Sequence, residues 1–151
     1  MRILLASLTA IIFIFFGARV KLVDATSQKW YGGQYETGRG TDYVFTLKAR
    51  GGSDKLVLDE LWLEEDFYEI SAVKNLAKRS DLSFEKRDTI YVRVGKKYKP
   101  DSTGKMVKVS GKSVEPPRNF SGAALLGYTW KGKRKYLEIA ELRILEEIIY
   151  P

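Results

Sequence analysis

The chain has 151 residues, with 26 lysines and arginines against 19 aspartates and glutamates, and it contains neither cysteine nor histidine. Those two absences exclude Ser-His-Asp and Cys-His nucleophiles and most zinc sites, and no disulfide can brace the fold. The length suits one domain, and the modest formal net charge of +7 favours anionic partners only weakly.

In chain order, Arg2 precedes an apolar run from Ile3 to Ala18. A basic start followed by such a run predicts a secretory signal peptide over residues 1–25, cut after Ala25, with Val23 and Ala25 supplying side chains of acceptable size. The alternative is an uncleaved anchor through residues 3–18, although sixteen helical residues reach only about 24 Å of a hydrocarbon core of about 30 Å. Removal of residues 1–25 takes three basic residues and one acidic residue, leaving residues 26–151 at +5. Export to the periplasm or cell surface sets nucleic acid and nucleotides aside as partners, and a membrane is a partner only if the leader stays.

Trp30, Tyr31 and Tyr35 surround Gly32 and Gly33, an arrangement that stacks on sugars or caps the open end of a β core. The segment Gly33–Thr41, GQYETGRGT, spaces its glycines like a phosphate-binding loop. However, Arg39 stands where lysine belongs and Gly40 where serine or threonine must be. A strand pattern follows it where the motif needs a helix, so its glycines are expected to make turns or bulges.

Thr41–Lys48 alternates Tyr43, Phe45 and Leu47 with Asp42, Thr46 and Lys48, which predicts a half-buried strand. After the Gly51–Asp54 turn, Leu56–Ile70 reads as two strands turning at Glu65-Asp66, or as a helix stacking Leu56, Glu60, Leu63, Phe67 and Ile70. Val57, Trp62, Phe67, Tyr68 and Ile70 favour strands. Its acids Asp59, Glu60, Glu64, Glu65, Asp66 and Glu69 would serve glycoside cleavage if two faced each other across a cleft, or calcium through oxygen ligands. On a hairpin they are simply solvent-facing. Residues 72–79, AVKNLAKR, are compatible with one short helix.

Asp88–Val94 alternates again, with Ile90, Val92 and Val94 on one face, and Pro100–Gly104 is a hairpin turn leading to Lys105–Val109. Glu115-Pro116-Pro117-Arg118 is a stiff connection. Ala123–Trp130 and Lys135–Ile139 form a further hairpin through Lys131-Gly132-Lys133-Arg134, with the strand continuing to about Leu142. Trp62 and Trp130 fall on strands as core candidates. Lysines and arginines gather in the loops, and Lys96, Lys97, Lys131, Lys133, Arg134 and Lys135 would make one binding patch if both hairpins met at one end. Lysines also protect sheet edges without binding anything.

The whole pattern predicts an all-β sandwich or small barrel of about six to eight mostly antiparallel strands after the signal segment. The leader without a lipid-acceptor cysteine, GRGTDYVFTL at 38–47, LDELWL at 58–63, and the closing KYLEI through Tyr150-Pro151 resemble small exported β-rich proteins of Bacteroidetes-type bacteria. That resemblance implies a periplasmic or cell-surface β domain and carries over no functional residue.

With no intact catalytic motif, no cofactor site and no metal site, the sequence points to a non-enzymatic domain. Its expected partner is an envelope protein, an acidic polysaccharide or a lipid head group. A carbohydrate-active enzyme using carboxylates between Asp59 and Glu69, or a purely structural envelope protein, are the alternatives.

Overall fold

Alternate apolar residues bury one face of each long strand, and two such faces close on each other. A computed structural model describes residues 18–151; residues 1–17, most of the expected leader, lie outside the described residues. Strand β1 (Val20–Tyr31) runs antiparallel to β2 (Arg39–Ala49), and β2 to β5 (Thr89–Pro100), whose far end pairs with β6 (Met106–Lys108). The second sheet has the order β4-β3-β7-β8, from β3 (Leu56–Leu63), β4 (Asp66–Glu69), β7 (Ala124–Trp130) and β8 (Lys133–Ile139). Among the described residues the result is two mostly antiparallel sheets, of six and four strands, with no closed barrel.

Tyr43, Phe45 and Leu47 of β2 and Ile90, Val92 and Val94 of β5 face Leu56, Leu58, Leu61, Leu63, Leu126 and Ile139 in one core. Phe45, Leu61, Ile90 and Leu126 are fully buried, each worth roughly 1.5–3 kcal/mol in removed apolar surface. The central strand β7 is buried from Ala124 through Tyr128 because its other face is covered too. There Leu125 joins Trp62 and Phe67 in a satellite cluster, with Phe120 and Tyr136 against it. The segment Leu56–Ile70 is therefore two strands, turning at Glu64-Glu65, and Glu64 takes a positive φ of 55° there. Trp130, by contrast, is half-buried at the end of β7.

Two expectations are corrected. Residues 72–79 form no helix: Ala72 and Val73 are both buried, Val73 bridges to Tyr91, and Asn75 then starts a turn by accepting from the Ala77 amide. The two backbone hydrogen bonds between Val73 and Tyr91 hold this stretch extended against β5. The last long strand also stops at Ile139, and the tail crosses the molecule to add two short parallel strands, β9 (Arg143–Ile144) and β10 (Ile148–Ile149), to the free edge of β1. This tail covers an edge that would otherwise template aggregation, and it brings the described strands to ten.

Residues 20–25, expected in the leader, form the first half of β1. Val20 pairs with Ala49, Leu22 with Leu47 and Ala25 with Phe45; Val20 and Ala25 belong to the core. The register slips between Leu22 and Asp24, and this bulge breaks the alternation, so that Asp24 follows the outward Val23 off the core face and Ala25 returns to it. Among the described residues every member of both clusters lies at or beyond Val20, so a chain beginning at Arg19 keeps all of that core. Such a chain is expected to unfold cooperatively in urea. A chain beginning at Thr26 loses Val20, Leu22, Ala25 and half the β1–β2 ladder, and its stability should fall by at least about 3 kcal/mol. An unchanged urea midpoint would show that residues 20–25 contribute nothing.

Candidate functional site: the free end of the larger sheet

Strands β1, β2 and β5 have 11 or 12 residues, whereas β3, β7 and β8 have 7 or 8. The larger sheet therefore outruns the smaller one, and the border is marked by charge. Lys96, on the inner face of β5, donates to Glu64 at 2.5 Å and lies 3.8 Å from Asp66, both from the β3–β4 turn region. Asp66, buried, also pairs with Lys108 of β6. Burial works against the Lys96 charge, but the Glu64 hydrogen bond, with Tyr43 and Asp66 nearby, outweighs it and raises the Lys96 pKa.

Beyond this border the register stacks three cross-strand rows: Lys29, Thr41 and Lys96; Trp30, Gly40 and Lys97; Tyr31, Arg39 and Tyr98. Side chains alternate between faces along a strand, so the first and third rows point inward and the second outward. On the outer face Lys97 lies 5.7 Å from the centroid of the Trp30 ring. Gly40 permits this packing: a Cβ there would stand 2.8 Å from Trp30 Cε2 and Cζ2. Trp30, Lys97, Asp42, Thr37, Ser110 and Tyr150 line a pocket of about 540 Å³. Tyr150 arrives with the tail, whose backbone amide at that residue donates to Tyr31 at 3.0 Å.

On the inner face Arg39 lies 5.9 Å from the centroid of the Tyr98 ring. Lys29, Tyr31, Arg39, Thr41 and Tyr98 line a second pocket of about 260 Å³. Among the described residues Lys29, Arg39 and Lys97 make no ion pair. The end thus presents aromatic rings beside uncommitted cations on both faces.

Residues 33–38 close this end as a turn, whereas Arg39, Gly40 and Thr41 already belong to β2, so Gly40 lies in a regular strand and not in the turn or bulge expected of it. A one-turn 3-10 helix, Tyr35–Thr37, is followed by Gly38 at φ 80° and then directly by β2. No helix N-terminus is formed there, and a Cβ on Gly38 would meet the Tyr98 carbonyl oxygen at 2.0 Å. Tyr35 is largely exposed and donates its hydroxyl to the Gly104 carbonyl at 2.5 Å, tying the β1–β2 connection to the β5–β6 turn. Of the three aromatics singled out by sequence, Trp30 and Tyr31 occupy opposite faces of β1 and Tyr35 fastens the tip.

The structure separates the six basic candidates. Lys96 and Lys97 lie at the free end, on opposite faces of β5. Lys131, Lys133, Arg134 and Lys135 belong to the β7–β8 hairpin, whose turn lies at the other end, where Trp130 pairs with Leu56. Arg134 is committed to Asp59, at 2.5 and 3.0 Å, with Glu60 at 3.6 Å. The Asp59 hydrogen bonds raise its pKa. Glu69 pairs with Lys112 at 3.4 Å, so most acids between Asp59 and Glu69 are already matched to a cation.

Sequence reasoning missed Lys29, Arg39 and Tyr98. Arg39 looks like the misplaced lysine of a failed phosphate loop, and only the pairing of three distant strands puts it beside Tyr98. Comparison with protein-family models, curated proteins and solved structures finds no match to this chain.

Next to the border, the Tyr68 hydroxyl is buried with no hydrogen-bond partner among the described residues. Burial, and then the negative charge of Asp66, push its pKa up to about 12. A phenol raised in the folded state contributes stability fully present below its unfolded pKa, about 10, and lost as pH rises through the folded value. Stability should therefore decline between about pH 10 and 12. Tyr68→Phe should flatten that decline and be neutral or stabilising by up to about 1 kcal/mol at pH 7, since it deletes an orphaned group. Urea midpoints measured across this pH range check both effects.

Proposed function

We propose that this chain is an exported, non-enzymatic β domain that binds an acidic polysaccharide of the cell envelope at the free end of its larger sheet. One observation carries the reading: on each face of that end an aromatic ring sits beside a cation with no acidic partner among the described residues, Trp30 with Lys97 and Tyr98 with Arg39. Sugar rings pack their C–H faces on aromatic side chains, while the carboxylates or sulfates of an acidic chain need cations at the same place. The larger pocket, about 540 Å³, lies within the size range of small-ligand sites. The open shape of the end suits a polymer that passes through it.

The acids between Asp59 and Glu69 support this reading over a glycosidase. Asp59 and Glu60 share Arg134, and Glu64 and Asp66 share Lys96. Paired carboxylates of this kind tie structure together, whereas glycoside cleavage needs two that face a bound sugar.

The test is calorimetric titration with polygalacturonate, a sulfated glycan and neutral dextran. Binding of the acidic polymers is expected, weakening as salt rises, with dextran inert. Trp30→Ala and Arg39→Gln should each weaken binding by about tenfold, the scale of one lost ring contact or one lost charged contact. Equal affinity for dextran, or unchanged affinity in both variants, would refute the proposal. The appearance of new reducing ends on incubation would instead restore the enzyme reading.

A further inference from the structure

We propose that the opposite end of the sandwich, centred on Trp130, rests on an anionic lipid surface. There Arg19, Arg50, Lys55, Lys86 and Lys131 ring a shallow pocket of about 250 Å³, with Asp54 the acid among its lining residues. None of these five cations is ion-paired among the described residues.

The cluster is built into the fold. The Trp130 ring packs where Gly51 lacks a side chain, since a Cβ there would lie 2.1 Å from Trp130 Cζ3. Arg19 stands 4.7 Å and Lys131 5.4 Å from the ring centroid. The Arg50 amide donates to the Arg19 carbonyl at 2.9 Å, and the Lys131 amide to the Lys55 carbonyl at 2.9 Å. These bonds fix the three chain segments side by side. The turn itself, Lys131-Gly132, takes positive φ at both residues, 48° and 79°.

Two features single out a lipid surface as the occupant. An indole ringed by lysine and arginine is the composition found at membrane–water interfaces, where the ring sits at head-group depth and the cations reach the phosphates. In addition, the Arg50 guanidinium donates to the Ala18 carbonyl at 3.2 Å, so the cluster adjoins the point where the sequence becomes the apolar run Ile3–Ala18. Where that run is kept as an anchor, it puts lipid next to these cations, Arg19 included.

The experiment uses the chain from Arg19 to Pro151, which keeps every core residue among the described residues, after circular dichroism and a urea transition have established that it is folded. It is sedimented with phosphatidylcholine vesicles and with vesicles containing phosphatidylglycerol. Partition onto the anionic vesicles only, collapsing at high salt, is expected. Each cation near an anionic surface is worth roughly fivefold in partition, so the triple variant Arg19→Gln/Arg50→Gln/Lys131→Gln should lose roughly a hundredfold. A Trp130→Phe chain should lose the blue shift of indole emission seen on binding.

Arg39→Gln/Lys97→Gln, altered at the other end, should bind vesicles as the parent does. Circular dichroism confirms that each variant is folded. Unchanged binding in the triple variant, binding lost through the Arg39/Lys97 pair, or displacement by inorganic phosphate at fixed ionic strength would each overturn the proposal. The last outcome would identify a small phosphate site in its place.

Discussion

A sandwich shelters apolar residues only where its two sheets overlap, and here the two sheets differ in length by about a third. Over the shared part, alternate residues of β1, β2 and β5 close on β3, β7 and β8, and the main core forms. Past Lys96 the larger sheet continues with nothing of comparable size opposite it. The same alternation that produced a core then produces two exposed faces, carrying Trp30 and Lys97 on one side and Tyr31, Arg39 and Tyr98 on the other. No special loop is needed to build this end. Strands that keep pairing after their partner sheet has stopped are sufficient.

Such an overhang has to be closed at its border and guarded at its edge. Lys96, Glu64, Asp66 and Lys108 close the border. Asp66 is buried with two cations and Lys96 is partly covered, so the group joins the sheets through charge at the point where apolar contact ends. Burying such charges is costly unless they are mutually satisfied, which makes the cluster more useful for fixing how the sheets align than for net stability. The tail guards the edge. It lays β9 and β10 beside β1, joins Arg143 to Asp24 at 2.6 Å, and delivers Tyr150 to the wall of the larger pocket. The Arg143 pairing also lowers the Asp24 pKa.

What the sequence revealed follows the range of the interactions involved. Strands β2 and β5 were legible because Tyr43-Phe45-Leu47 and Ile90-Val92-Val94 alternate without interruption, a signal contained in a few residues. The Pro100–Gly104 turn was legible for the same reason: Asp101 accepts from the Thr103 and Lys105 amides as its local chemistry dictates. The start of β1 was hidden by the bulge at Val23, which adds Asp24 to the outward Lys21 and Val23 and makes core strand look like charged linker. Residues 72–79 misled because helix compatibility is a weak preference, and burial of Ala72 and Val73 against the β scaffold overrode it. The free end was least visible. Its rows join residues near 30, 40 and 97, and that register is a property of the assembled sheet.

The two ends also divide the surplus charge, and this bears on how the domain would be oriented. If all the loop cations lay together, one patch would compete for every anion in reach. Here the β5–β6 side and the β7–β8 turn are held apart by the length of the sandwich, each with its own tryptophan seated over a glycine, Trp30 on Gly40 and Trp130 on Gly51. The repeated device is physically economical: glycine removes the Cβ that would lift an indole off the backbone, and nearby cations gain a fixed ring to lie against. The ends differ in what adjoins them. Arg19, Arg50 and Lys131 lie beside Ala18, the last residue of the apolar run in the sequence, and Lys97 and Arg39 lie at the opposite end of the larger sheet. A domain held by lipid at the first end would therefore present the second outward, toward the polysaccharide layer. The two proposed contacts are then compatible in one orientation because the strands of the larger sheet run continuously from one to the other.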